Sequence, residues 1–412
     1  MQSIDAIEAI QLSERTLKKR KNSFLYFTGD NGCGKSTLLL NIAKNIFHKN
    51  RELSVTQQPL KDVRRIIAYS MAPFSKFDSR EAYIFARSEA FERIGGGSSG
   101  TSRYALLFQA IVQFCMFDSA KQALFQEIAE VTRFSATFRV RLRIDRLRLE
   151  RAPQQLVESN ELAKKILDSV GVIEVFIRPG TLKITAGDES DLRPSDFERQ
   201  LPSQDSDESE NIAEALMLLR RFGAVRVARV EYAKFDDTWC SSDNLSSGQL
   251  SFFVGLMVLA SALRDNCTVL IDEPEVSLHP AWQEKYPELL YKMAKYYQGC
   301  KFYVATHSPM IISSAQKGGA KIVNLGSELI SAADLADSDP ENIEEIFAIY
   351  FNTLTLDSHF VKEAAIKAVQ ALAENDSNAF AVYSRIIEKI RPKVKDSQTK
   401  KLLSEILKRT VP

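Results

Sequence analysis

The sequence predicts an α/β fold: a core of alternating strands and helices, interrupted by a long helical insertion and closed by a C-terminal helical region. Three observations predict it. The apolar run Ser23–Thr28 leads into a glycine-rich turn, Gly29-Asp30-Asn31-Gly32-Cys33-Gly34-Lys35-Ser36, and helical spacing begins at Thr37. A second apolar run, Cys267–Ile271, ends on Asp272-Glu273. A third, Lys301–Thr306, ends on His307. Short apolar strands alternating with helical patterns build parallel sheets.

Composition bounds the alternatives. A chain of 412 residues is long enough for two or three domains at ~100–200 residues each. With 45% hydrophobic and 26% charged residues it is an ordinary globular sequence, which excludes global disorder and collagen-like or disulfide-stapled folds. Lys+Arg number 54 against 53 Asp+Glu, a net charge of +1. That excludes a generally polybasic nucleic-acid binder but leaves room for local patches. The longest apolar run, Phe252 to Leu263, contains Gly255 and Ser261 and is well short of the ~20 residues a membrane helix needs. The first residues carry scattered charges and no apolar h-region, so no signal peptide is expected. Five cysteines without a CxxC spacing suit a reducing, cytoplasmic setting. Four histidines without paired Cys/His clusters argue against a structural zinc.

The elements follow in order. Residues 37–47 place Leu38, Leu39, Ile42 and Ile46 on one helical face. A strand is expected over 65–70, ahead of Pro73. The segment 95–102, GGGSSGTS, is too glycine-rich for regular structure. Residues 102–131 have helical spacing. Over 138–150 the period changes to two, with Val140, Leu142 and Ile144 on one side and Arg139, Arg141 and Arg143 on the other. A helix over 154–169 and a strand over 172–177 lead to Gly187–Asn211, an acidic stretch poor in large apolar side chains and expected to be a flexible loop. A helix over 212–222 and a strand over 224–234 complete the approach to the second motif region. The expected organisation is therefore a core split between 1–90 and 212–340, an inserted helical and strand region over 91–211, and a helical region over 341–412.

The turn Gly29–Ser36 matches G-x-x-x-x-G-K-[ST]. Its glycines allow the backbone N–H groups of Asn31, Gly32, Cys33, Gly34, Lys35, Ser36 and Thr37 to close around phosphate oxygens, with the positive end of the following helix behind them. Lys35 is placed to reach the β- and γ-phosphates and Ser36 to ligate Mg²⁺. Residues just past the carboxyl ends of parallel strands line the ligand crevice. Asp272 is there to hold Mg²⁺, and Glu273 to act as general base on the attacking water. Asn244-Leu245-Ser246-Ser247-Gly248-Gln249 opens a further helix. Serine and glycine at a helix start form either an anion site or an ordinary N-cap. His307 is either a hydrogen-bonding partner of a γ-phosphate or a structural histidine.

Phosphate loop, serine–glycine signature, Asp-Glu strand and histidine strand, in that order, resemble the nucleotide-binding core of the ABC ATPases over 23–75 and 243–312. The resemblance implies an ABC-type P-loop NTPase core that uses ATP and Mg²⁺. It also implies that Ser247, Gly248 and Gln249 cap the γ-phosphate held by a partner chain, in a head-to-tail homodimer or higher oligomer. On the same basis His307 stands in the place of the switch histidine, and Ser277-Leu278-His279 in that of the D-loop. The segments DEPEVSLHPAW (272–282), THSPMII (306–312) and IIAYSMAPFSKF (66–77) look like the soluble ATPases related to the overcoming-lysogenization-defect group, and among these the PtuA ATPases of Septu and Septu-like retron anti-phage systems. That closer resemblance implies an effector partner, an HNH-type nuclease. One departure is plain: the Q-loop glutamine is absent, and Ser70-Met71 occupies its place.

Six arginines lie within 139–151. Arg139, Arg141 and Arg143 share a strand face, which suits either a phosphate backbone or a solvated face paired with acidic neighbours. In the tail, Val361, Ala365, Ala368, Val369 and Leu372 form one helical stripe. Phe380, Tyr383, Ile387 and Ile390 form a second, and Leu402, Leu403, Ile406 and Leu407 a third. Such stripes must be buried, against each other and the core or against a partner. The functions in competition are an ATP-driven switch in defence or DNA repair, an ATP-locked scaffold with little hydrolysis, and a transporter subunit, against which the long insertion argues.

Overall fold

A computed structural model describes residues 21–55, 65–70, 75–79, 91–95, parts of 107–144, 172–178, 181–187, 206–325, Ile346 and 359–409, with single interruptions. Expectations for 96–102, 145–169 and 188–205 lie outside the described residues.

The first strand, β1 (Ser23–Thr28), runs into the glycine turn and helix α1 (Lys35–Val55). It belongs to a six-stranded sheet with β2 (Ile66–Ser70), β3 (Phe91–Gly95), β9 (Thr268–Asp272), β10 (Lys301–Ala305) and β11 (Lys321–Asn324). The order is β11-β1-β10-β9-β2-β3, with every pairing parallel. Both faces of such a sheet are covered, so its strands are uniformly apolar. β2 and β9 are buried at every position. The strand β3 was not foreseen, because FERIG alternates charge with bulk and carries no strong strand signal. It occupies the sheet edge, where polar residues are tolerated.

A second, antiparallel sheet has the order β6-β5-β4-β7-β8 and contains β4 (Phe138–Ile144), β5 (Val172–Arg178), β6 (Thr181–Gly187), β7 (Val225–Ala233) and β8 (Trp239–Ser241). It joins strands from both sides of the expected boundary at 211/212: β4 pairs with β7 over seven positions, with a register shift between Arg141 and Leu142. The apolar face expected for β4 is present, with Phe138, Val140 and Leu142 buried. Ser206–Arg221 forms a helix, α3, so the stretch expected to be a flexible loop already turns helical at Ser206. α2 spans Ser119–Val131.

Helix α4 (Ser247–Ala262) lies at the centre. All its residues from Ser251 onward are buried, as expected of a helix that is apolar all round. Gly255 is required there: a Cβ would meet the Tyr69 hydroxyl at 2.1 Å. Helices α5 (Pro280–Ala294) and α6 (Pro309–Lys317) follow β9 and β10.

The tail forms α7 (His359–Ala373), α8 (Ser377–Ile390) and α9 (Ser397–Ile406). The buried face of α7 is Phe360, Val361, Ala364, Ala365, Ala368 and Ala371, and it joins the same apolar cluster as the core. The expected stripes are offset at two positions. Val369 and Leu402 are half exposed, as is Ile366; on α7 alanines, not the larger aliphatics, meet the close-packed neighbour, and on α9 Leu403 and Ile406 are the buried residues. Among the described residues no helix is long and apolar enough to cross a membrane.

Candidate functional site

The carboxyl ends of four neighbouring strands form one edge. Register aligns Phe27 with Ala305, Ala305 with Asp272, and Asp272 with Ser70. Every loop carrying a sequence-predicted catalytic residue leaves from this edge, as the crevice rule for parallel sheets requires. Ser70, in the place of the missing glutamine, ends β2 directly beside Asp272.

The glycine turn adopts a conformation that L side chains rarely enter: φ is +81° at Gly32 and +97° at Gly34, and glycine holds these values without strain. Asn31 and Thr37 are exposed on the turn, and the N–H of Cys33 donates to the Asp30 carbonyl at 3.3 Å. Lys35 is buried and folded back on its own loop. Its Nζ donates to the carbonyls of Gly29 at 2.9 Å and Asp30 at 3.1 Å, and to Cys33 Sγ at 3.5 Å. It also lies 3.4 Å from His307 Nδ1. Since an ammonium only donates, Nδ1 is the accepting nitrogen of a neutral imidazole. Burial lowers the His307 pKa and the Lys35 charge lowers it further, against the carboxylates of Glu273 and Asp30. The structure thus brings Lys35 and His307 together across 272 positions of sequence.

Ser36 donates its hydroxyl to Asp272 Oδ1 at 2.9 Å. Burial pushes the Asp272 carboxyl up to about 6; the Ser36 hydroxyl opposes the rise, Glu273 adds to it, and Lys35 opposes it. Glu273 follows in a left-handed backbone conformation, φ +50°, sparsely populated for a residue with a side chain. Its N–H donates to the Ala305 carbonyl at 2.9 Å, fixing the turn to β10.

A buried carboxylate beside a hydroxyl, each an oxygen ligand, suits a hard divalent cation. The positive-φ glycines and a lysine whose ammonium donates to two carbonyls of its own loop suit phosphate oxygens, which would exchange for those carbonyls. Both groups of residues therefore fit Mg²⁺ and a nucleoside triphosphate.

Four residues around this site escaped the sequence: Glu275, Gln283, Thr306 and Ser308. Glu275 accepts the Thr306 hydroxyl at 2.8 Å and the backbone N–H of His307. Burial raises its pKa, and those same hydrogen bonds oppose the rise. Ser308 caps α6 and donates to Gln283 Oε1 at 2.6 Å, while Gln283 Nε2 donates to the Leu278 carbonyl at 2.9 Å. Glu275, Gln283 and Thr306 thus bind the loop after β9 to the loop after β10. The second glutamate of Asp-Glu-Pro-Glu was the available signal; proximity to Thr306 was not legible.

The serine–glycine segment does other work within the chain. Ser246 accepts the Gln249 N–H at 3.2 Å, and Gln249 Oε1 accepts the Ser246 N–H at 3.0 Å, a reciprocal cap. Gly248 is packed so closely on the next loop that a Cβ would lie 2.2 Å from the Ser277 carbonyl oxygen. Beyond it, Trp282 stacks on Phe252 with centroids 5.4 Å apart.

Residues 116–313 match a protein family described as "AAA domain, putative AbiEii toxin, Type IV TA system". The match begins beyond the phosphate loop and takes in α2, the antiparallel sheet, the serine–glycine segment, the acidic strand and His307. With the parallel sheet and the geometry of its edge, the match supports a P-loop ATPase domain of the AAA/ABC kind.

Proposed function

On the premise of a P-loop ATPase domain, we propose that this chain is an ATP-driven switch: it binds and hydrolyses ATP with Mg²⁺ and passes its nucleotide state to a partner protein. The observation that carries this is the convergence of Lys35, Ser36, Asp272 and His307 on one edge of the parallel sheet. Ser36 and Asp272 would hold Mg²⁺ there, and the ion would supply charge neutralisation at the phosphates. Lys35 leaves the Gly29 and Asp30 carbonyls for the phosphates. Glu273 takes the proton of the attacking water, and the neutral His307 offers a hydrogen bond beside the reacting phosphate.

A head-to-tail dimer is part of the proposal. In support, the first turn of α4 is fixed by its own cap and by the close packing of Gly248 on Ser277, so the backbone of 247–249 is held as one unit. The setting is a defence complex with an HNH-type nuclease as effector. The resemblance of 272–282 and 306–312 supports it, and the matched family's description names a toxin of a toxin–antitoxin system.

Steady-state phosphate release, nucleotide binding and light scattering test the switch together. Glu273→Gln should bind ATP, lose turnover and accumulate as a dimer; Lys35→Ala should lose ATP binding. A Glu273→Gln variant that matches the wild type in both turnover and oligomeric state would instead identify an ATP-locked scaffold.

A further inference from the structure

Two thiols meet at the end of the parallel sheet opposite the nucleotide site. Cys267 precedes β9 and Cys300 precedes β10. The register of that pair begins at Thr268 and Lys301, so the cysteines stand opposite each other one position earlier, on the same face of neighbouring parallel strands. The Lys301 N–H donates to the Cys267 carbonyl at 3.0 Å, and the Thr268 N–H to the Arg65 carbonyl at 2.7 Å. On the β1 side, the Cys300 N–H donates to Asn22 Oδ1 at 2.9 Å and the Cys300 carbonyl accepts the Ser23 N–H at 3.0 Å. The backbone around both cysteines is thus held in sheet geometry. Both side chains are fully buried, and their sulfurs lie 3.5 Å apart.

A lone buried cysteine is a small apolar group of little reactivity. This pair differs in three respects. First, neighbouring strands are about 4.8 Å apart, inside the ~4.4–6.8 Å of Cα separation that a disulfide spans. The sulfurs need only close from 3.5 Å to about 2.05 Å, and the hydrogen-bonded register is untouched. Second, the contact favours a thiolate at Cys267. The hydrogen bond with Cys300 lowers its pKa, burial raises it, and the Arg264 backbone and the Arg65 charge lower it. The same contact and burial raise the pKa of Cys300, which keeps its proton. Third, the cover is thin. Arg264, Asp265, Asn266 and Gln298 are exposed. Their two turns are clipped together by the Asn266 N–H to the Gln298 carbonyl at 2.8 Å and by the Gln298 N–H to Asp265 Oδ1 at 2.9 Å. Exposed hydrogen bonds of this kind open locally at small cost, which admits a reagent as small as hydrogen peroxide.

We propose that Cys267 and Cys300 are a modification site: a hydroperoxide oxidises them to a reversible disulfide that clamps β9 to β10. The Cys267 thiolate attacks one peroxide oxygen. The O–O bond breaks, the sulfur loses two electrons and becomes a sulfenic acid, and the leaving alkoxide (hydroxide, from hydrogen peroxide) takes up a proton. The Cys300 sulfur then attacks the sulfenic sulfur. The S–S bond forms, the S–O bond breaks, and the hydroxide leaves with the Cys300 proton as water. In sum, two thiols and one hydroperoxide give one disulfide, one alcohol and one water. A small dithiol reverses the bridge by exchange and leaves as its own disulfide. The bridge joins positions 33 apart, a span that contains Asp272 and Glu273, and so restricts the unfolded chain. Neither cysteine belongs to the nucleotide site, so the proposal is independent of the ATPase reading.

The test treats the reduced full chain with hydrogen peroxide, alkylates it in denaturant and digests it without reduction. Peptide mass spectrometry should find Cys267 joined to Cys300 with the loss of two hydrogens, and dithiothreitol should return both thiols. Cys33 and Cys240 are followed on their own peptides. The Tm of the oxidised wild type should rise by about 3 °C or more, as closure of a loop of this length implies. Cys267→Ser and Cys300→Ser should each abolish the rise. In Cys300→Ser, dimedone should label Cys267 after peroxide; in Cys267→Ser, Cys300 should stay alkylatable. The wild-type peptide map decides the bridge even where a serine variant fails to fold. Both thiols still alkylatable in the peroxide-treated wild type, or a bridge from either of them to another cysteine, overturns the proposal. A linked peptide with an unchanged Tm overturns the clamp, and dimedone on Cys300 in place of Cys267 overturns the assigned order of attack.

Discussion

Replacing Glu275 by Gln isolates the group that holds the histidine loop. The carboxylate accepts two donors, the Thr306 hydroxyl and the His307 N–H. An amide presents one oxygen and one NH₂, so one donor keeps a partner and the other faces a donor. Hydrogen bonds to a charged group contribute about 1.5–3 kcal/mol each, neutral ones about 0.5–1.5, and a buried donor left unmade costs about 1–3. The loop therefore loses on the order of 2–3 kcal/mol of preference for the geometry that sets His307 3.4 Å from Lys35. If hydrolysis requires that geometry, kcat falls about 30- to 150-fold. The KM for ATP should change less than about threefold, because Lys35, Ser36 and the glycine turn are untouched. Glu275→Asp keeps the charge and should recover part of the rate. Phosphate-release kinetics with a thermal-melt control decide the matter. A variant that melts earlier but hydrolyses at the wild-type rate would reduce Glu275 to a stability residue. One with raised KM and normal kcat would place it in binding.

Two further outcomes are expected. Gly248→Ala forces a Cβ to 2.2 Å from the Ser277 carbonyl oxygen, so the start of α4 and the loop after β9 must separate at a cost of about 1–3 kcal/mol; thermal denaturation should show the loss, and an unchanged Tm would mean that the loop yields freely. On the tail, Ile366→Asp with Val369→Asp alters side chains that are half exposed, so Tm and ATPase rate should hold while co-purification of the proposed effector from the native host is lost; retention of that protein would move the proposed surface elsewhere.

The nucleotide site was the most legible part of the sequence because its residues are spaced by chain geometry. The glycine turn must sit between a strand and a helix, and the paired acids must end a strand, so order alone placed these residues at strand ends, while the contacts of Ser36 with Asp272 and of Lys35 with His307 come from the register of β1, β10 and β9. The sheet edge was less legible. FERIG is a strand because β2 offers it an open edge, a fact about the neighbour and not about those five residues. Arg139 shows the same effect in charge. Its alternation with Val140 matches that of Arg141 and Arg143, but Glu231 and Trp239, brought by β7 and β8, draw it into the interior. Nothing local distinguishes it. The alanine-rich face of α7 misled for a related reason: burial there goes to the small residues that permit close approach, leaving Ile366 and Val369 outside.

Of the two alternatives that the sequence left open for the serine–glycine segment, the structure shows the ordinary N-cap, and the proposed contact with a second chain's nucleotide builds on it. Ser246 and Gln249 form the cap that an ordinary helix start would have. That cap spends the Gln249 carbonyl oxygen on its own backbone, while the contact of Gly248 with Ser277 fixes the turn against the loop anchored by Glu275 and Gln283. The loop thus has one end at the histidine of its own nucleotide site and the other under the segment proposed to meet a second chain's nucleotide. Side chains joined through short hydrogen bonds and a van der Waals contact without slack move together. A displacement of His307 when phosphate arrives would therefore reach Gly248 through Glu275 and the backbone of 276–278, with no separate conformational element required. In a head-to-tail pair this makes each site's occupancy felt at the other. The switch would then respond to two bound nucleotides more steeply than to one, a property that arises from one hydrogen-bonded loop.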